Sequence, residues 1–161
     1  MADQIAVERS AMLVLWMGRQ DENIAGSVHG GVVMKLCDEA ASLAAVRYSR
    51  QRVVTAAVDR MTFLVPVFVG ELVTLSASVN AAWRTSMEVG VRVDAENPLT
   101  GLRRHTHTAF LTIVAVDGHG RPAPIPVLEV HDEEGMRRER EAQIRRANRL
   151  AERDRIREAQ D

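Results

Sequence analysis

The residue types best suited to chemistry gather in one stretch, Asn23-Ile24-Ala25-Gly26-Ser27-Val28-His29-Gly30-Gly31, with Asp38 following shortly after. Glycines at the start of a helix let a ligand approach free backbone N–H groups closely. Those N–H groups and the helix dipole favour developing negative charge, such as an oxyanion formed at an acyl carbonyl. Asp38 falls about two turns into an otherwise apolar helix. A carboxylate isolated there is costly, so it must be partnered, protonated or working. Hydrogen bonding to a neighbouring strand satisfies the same requirement without any chemistry. Glu39 points about 100° away and is either the surface-facing neighbour or the inward one.

The remaining reactive types carry weaker signals. His29 is equally suited to shuttling a proton and to a structural hydrogen bond at the helix entrance. Thr55 either positions water or is a β-favouring strand residue. Ser42, four residues beyond Asp38, either lines the site or bonds back to a helix carbonyl. Cys37 has no activating base in the sequence and reads as a small buried hydrophobe. His105 and His107 alternate along a strand, which places them together on one exposed face. No third ligand stands at a persuasive spacing, so no metal is expected.

These residues need elements to hold them. From Gly30 to about Tyr48 the chain is rich in alanine, with Ala40, Ala41, Ala44 and Ala45 among Met34, Leu36, Leu43 and Val46. That pattern predicts a helix buried almost all round, about 27 Å long, which a sheet approaches closely. Period-two alternation predicts half-buried antiparallel strands over 72–80 and 86–94, with further strands over Val53–Phe63, Arg104–Val116 and Ser10–Met17. Pro66 to Gly70 and Asn97 to Gly101 are turns. The expectation is an α+β domain over residues 8–128, an antiparallel sheet wrapped around a central helix. Gly30 and Asp38 are separated by about 12 Å of that helix. Asn23 lies further back still, so Asn23 and Asp38 of one chain would not easily meet. If both serve one site, a second subunit brings one of them.

Pro122, Pro124 and Pro126 stiffen the link to a different kind of segment, residues 129–161. Between Asp132 and Asp161 stand nine acidic residues and nine arginines. The i,i+4 pairs Glu134/Arg138 and Glu141/Arg145 support a charged helix, solvated or partly docked. Over all 161 residues the formal net charge is −1, so no basic excess points to nucleic acid. One cysteine excludes an intramolecular disulfide. No apolar run approaches a membrane span and the N-terminus has no secretory pattern, so a cytoplasmic protein is expected.

The ordered set Asn23-x-x-Gly26-x-x-His29-Gly30-Gly31, Asp38-x-Ala40-Ala41, Val54-Thr55, Phe63-x-x-Pro66-Val67-x-x-Gly70-Glu71 and Arg84-Thr85-Ser86-Met87-Glu88-Val89 resembles the hot-dog-fold acyl-CoA thioesterases. The likeness runs from about Leu13 to Pro126. It implies acyl-CoA hydrolysis to a free acid and CoA, with Asp38 as general base or nucleophile and Asn23 positioning water or substrate. The backbone at Gly30 and Gly31 would polarise the thioester carbonyl. Arg84, Thr85 and Ser86 would lie near the CoA nucleotide. The resemblance further implies dimers with sheets joined edge to edge, commonly three such dimers in a homohexamer, and sites between subunits. No cofactor is implied beyond the CoA of the substrate. Met61, Phe63 and the central helix would receive the acyl chain. Trp83 departs from the pattern where glycine is usual, and would either alter the CoA contacts or offer a face to adenine. Two alternatives draw on the same residues: hydratase or dehydratase chemistry through His29 and Asp38, and acyl-CoA binding without turnover.

Overall fold

A computed structural model describes residues 8–160. Strand β1 (Ser10–Trp16) leads through a short 3-10 turn (Arg19–Asp21) and a loop into helix α1 (Gly30–Ser49). Four strands follow: β2 (Arg52–Phe63), β3 (Leu72–Ala82), β4 (Ser86–Glu96) and β5 (Arg103–Val116). Helix α2 (Glu133–Glu158) closes the chain. The strands form one antiparallel sheet in the order β1-β3-β4-β5-β2, leaving β1 and β2 at its edges. α1 packs across the inner face, in contact with all five strands. This is the helix-in-sheet α+β architecture that the resemblance implies.

The central helix has its length because both ends are capped. His29 stands at the N-cap and Nδ1 accepts a hydrogen bond from Gly31 N–H. Arg50 ends the helix in the left-handed region, φ 56°, while its N–H returns to the Val46 carbonyl. Ala40, Ala41, Ala44 and Ala45 are fully buried against inward residues such as Leu75, Val89, Val91 and Ile113. Their small side chains allow the backbone of α1 to sit close to the sheet.

The expectation that α1 is buried almost all round is corrected: one side of the helix is open. Met34, Leu43 and Val46 are 48%, 41% and 41% exposed, and they share a face with half-buried Asp38. The neighbouring edge strand β2 is also uncovered, with Val54, Val58 and Phe63 about half exposed. The helix leans toward β1, β3 and β4, and among the described residues these apolar groups of β2 stay uncovered.

Two β-bulges punctuate β2, between Thr55 and Ala57 and between Val58 and Arg60. A further irregularity in β5 separates the pairs Asp94↔His105 and Val93↔His107. Paired residues share a face, so this bulge sends the two histidines to opposite sides of the sheet. The expectation of two exposed histidines side by side is therefore corrected. His107 is 3% exposed on the inner face against Phe63, and His105 lies outside beside Asp94 and Thr108.

α2 is docked across the outer face of the sheet rather than solvated. Ala142 is fully buried, and two arginines one turn apart reach sheet carboxylates. Arg145 bonds both oxygens of Glu88 and stacks over Phe110, while Arg149 meets Asp59 at 2.7 Å. Trp83 is engaged here as well: its N–H donates to Gln143 and Arg146 covers its ring. Its face is thus occupied by this chain's own arginine. Among the described residues no helix is long and apolar enough to cross a membrane.

Candidate functional site

The loop before α1 is shaped by Asn23. Its Oδ1 accepts from the N–H groups of Ala25 and Ser27, its Nδ2 donates to Ser27 Oγ, and its own N–H bonds the Ser27 carbonyl. Gly26 takes φ 80° within this turn, a conformation that favours glycine. The loop is closed by Val28 N–H to the Val67 carbonyl and His29 N–H to the Asp21 carbonyl, which fix where α1 begins. Because His29 uses the Gly31 N–H, the Gly30 N–H is the donor of the pair without a partner among the described residues.

Beside Gly30 lies a groove of about 310 Å³, lined by Asn23, Ser27, Gly30, Phe63, Val67 and His107 among others. Phe63 approaches so closely that a side chain at Gly30 would meet its ring at 3.3 Å. The far wall is held by an ion pair that sequence reading does not single out. Arg104 donates to both Glu71 oxygens and to the Pro66 carbonyl, and Glu71 also accepts from Phe68 N–H. Burial pushes the Glu71 carboxyl up, but the bonds from Arg104 and Phe68, with the Arg104 charge, hold it below its ordinary value. Larger hollows of about 480 and 660 Å³ flank α2 on the outer face, and none of Asn23, Gly30, Asp38 or Thr55 lines them.

Asp38 lies elsewhere along α1, away from this groove. Thr55 Oγ1 donates to Asp38 Oδ1 at 2.5 Å. Thr55 faces the helix because it pairs with Ile113, a fully buried inner residue. The bond leaves Asp38 Oδ2 free, on the uncovered face shared by α1 and β2. Both of the readings of Asp38 as partnered and as available for work are thus accommodated by one carboxyl. Glu39 is the surface neighbour, paired with Lys35.

Arg84 and Thr85 lie in the turn between β3 and β4, and Ser86 opens β4. Backbone bonds fix it: Trp83 N–H to Ser86, Ala115 N–H to Thr85 and Ile125 N–H to Arg84. Ser86 and Val54 pair with the same residue, Val114, from opposite sides. The turn is therefore level with Thr55, two strand spacings or about 10 Å away. One chain carries two separate sets: Asn23, Gly30 and His107 around the groove, and Asp38 with Thr55 at the level of the Arg84–Ser86 turn. Cys37 belongs to neither; it is 1% exposed, and burial with the nearby Asp38 charge raises its thiol to about 12.

Comparison with known proteins gives this geometry its context. Residues 25–102 match the Thioesterase superfamily. The uncharacterized acyl-CoA thioester hydrolase YkhA of Bacillus subtilis is 38% identical over 128 residues, covering 80% of this chain and 74% of that protein. The matched stretch spans 66% of a Helicobacter pylori relative and 35% of the rat cytosolic acyl coenzyme A thioester hydrolase. Among solved structures, an apo-hexameric acyl-CoA thioesterase superposes with a TM-score of 0.87 at 39% identity, covering 91% of this chain and 94% of that one. An acyl-CoA hydrolase from Staphylococcus aureus, solved with butyryl coenzyme A, coenzyme A and coenzyme A disulfide, gives 0.86 at 28% identity, covering 94% and 93%. That hydrolase has also been solved with alanine replacing an aspartate, an asparagine or a threonine. With the sheet, its central helix and the ordered motifs all in agreement, the chain belongs to the acyl-CoA thioester hydrolases of the hot-dog thioesterase superfamily.

Proposed function

We propose that the protein hydrolyses acyl-CoA to a free acid and CoA at sites built from two subunits, each giving one of the two residue sets. The observation that carries this reading is their separation: the Gly30 groove and the Asp38–Thr55 pair lie apart on one chain, and the face bearing Asp38 is uncovered. A second copy laid against the β2 edge and α1 covers the apolar face and brings a groove to each Asp38. Closed two-fold pairing makes both sites equivalent. The hexameric neighbour suits three such dimers. The three positions exchanged for alanine in the S. aureus hydrolase stand 15 and 17 residues apart, the spacing of Asn23, Asp38 and Thr55 here.

In this reading the acyl carbonyl oxygen points at the Gly30 N–H, where the start of α1 stabilises the oxyanion. Asn23 has one Nδ2 hydrogen beyond its loop bond, and this orients water or the thioester. Asp38 Oδ2 takes a proton from the attacking water while Thr55 holds Oδ1. Collapse of the tetrahedral intermediate breaks the C–S bond, and the CoA sulfur leaves as the thiol after taking up that proton. Arg84, Thr85 and Ser86 contact the CoA nucleotide, where an arginine fork suits phosphate. The reaction needs no metal and no cofactor beyond the CoA of its substrate, and the cytoplasm is its setting. His29 is committed to capping α1, which weighs against hydratase chemistry through that residue.

Free-thiol release from short- to long-chain acyl-CoAs tests the assignment, with wild type and Asp38→Asn compared. Turnover by the wild type, lost in the variant at unchanged oligomer size, is expected. No thiol from any wild-type reaction would overturn it in favour of binding without turnover.

A further inference from the structure

His107 is a buried residue that lines the groove and that the reaction above does not use. Its ring stands edge-on to Phe63, centroids 4.7 Å apart, and lines the groove with Asn23 and Gly30. Its tautomer follows from its neighbour. The Thr106 hydroxyl has one hydrogen and donates it to the Val93 carbonyl at 3.1 Å. His107 Nδ1, 2.8 Å from the same oxygen, must therefore be the donor in that contact. Nε2 is then a bare lone pair, with no partner among the described residues.

We propose that His107 positions the attacking water, Nε2 accepting the O–H that Asp38 does not deprotonate. This rests on the hydrolase reading and adds a residue to it. No proton moves to the imidazole: Asp38 receives the transferred one, and His107 fixes the direction of the oxygen lone pair toward the carbonyl. Burial, with His105 nearby, pushes the imidazole down to about 4, so the ring stays neutral and remains an acceptor through the neutral range. The β5 bulge at Thr106 makes the arrangement possible, because without it His107 would face outward with His105. Water held in this way gains orientation, and loss of orientation slows the chemical step more than it weakens substrate binding.

Steady-state thiol release by wild type, His107→Phe and His107→Gln tests the proposal. Phenylalanine keeps the ring and removes the acceptor, whereas the glutamine carbonyl reaches about as far as Nε2. The Phe variant should lose about 10- to 100-fold in kcat with KM within about 2-fold, and the Gln variant should recover most of that loss. His107→Met gives the same comparison if the Phe variant does not fold. Wild-type kcat in the Phe variant would overturn the proposal, as would a raised KM at constant kcat, or equal losses in Phe and Gln variants. A wild type that releases no thiol would instead remove the hydrolase reading, and this inference with it.

Discussion

At the scale of single residues, the account turns on how one carboxyl is shared. Thr55 occupies Asp38 Oδ1 and leaves Oδ2, the oxygen proposed to act as base. Asp38→Asn should lower kcat by about 100-fold or more, and Thr55→Val, which only frees the carboxyl to rotate, by about 10-fold. Thiol-release kinetics at unchanged oligomer size check both. Glu71 supports the groove in a different way, through charge. Its folded value lies below the ordinary 4.5, so its pairing stabilises the fold above the unfolded value and is lost as pH falls through the folded one. Thermal melts should show Glu71→Gln less stable than wild type at neutral pH, with the gap closing on the acid side of 4.5. Asn23, Gly30, Asp38 and Thr55 were legible in the sequence because their types and spacing carry the motif. His107 and Arg104 were not. The meaning of His107 arises from a one-residue bulge that alternation conceals, and that of Arg104 from a turn it reaches across 33 residues.

At the scale of elements, α2 shows what composition conceals. Balanced Arg and Glu leave open whether the helix is solvated or partly docked; in the structure Arg145 covers Glu88, which is 1% exposed on β4 and also accepts from Asn80. In strand alternation Glu88 looks like an ordinary outward polar residue, and only the docked helix buries it. Arg145→Ala should cost about 3–5 kcal/mol because it leaves that carboxylate buried and unpaired. Adding Glu88→Gln should restore part of the loss, since a neutral amide is cheaper to bury than a lone charge. Urea unfolding of the single and double variants measures both effects. The five strands and α1 were legible because alternation and alanine spacing report local periodicity directly. The uncovered side of α1 was not, since composition distinguishes apolar from polar but not which apolar face the chain itself covers.

At the scale of the whole molecule, the exposed apolar residues of α1 and β2 and the separation of the two residue sets both fit the proposed second subunit. Val58→Asp puts a charge on the edge strand, where Val58 is 49% exposed. Sedimentation should then show smaller species, and thiol release should fall with them, because on the proposed two-subunit reading a monomer holds no complete site. The sharpest test mixes two inactive proteins, Asn23→Ala and Asp38→Asn, under conditions that exchange subunits. Each mixed dimer carries one site with both substitutions and one with neither. Random exchange should restore about a quarter of wild-type thiol release, half the dimers being mixed and half their sites intact. Recovery near that level supports a site shared between subunits. Mixtures that remain as inactive as their parents, although mass spectrometry shows hybrid oligomers, would contradict it.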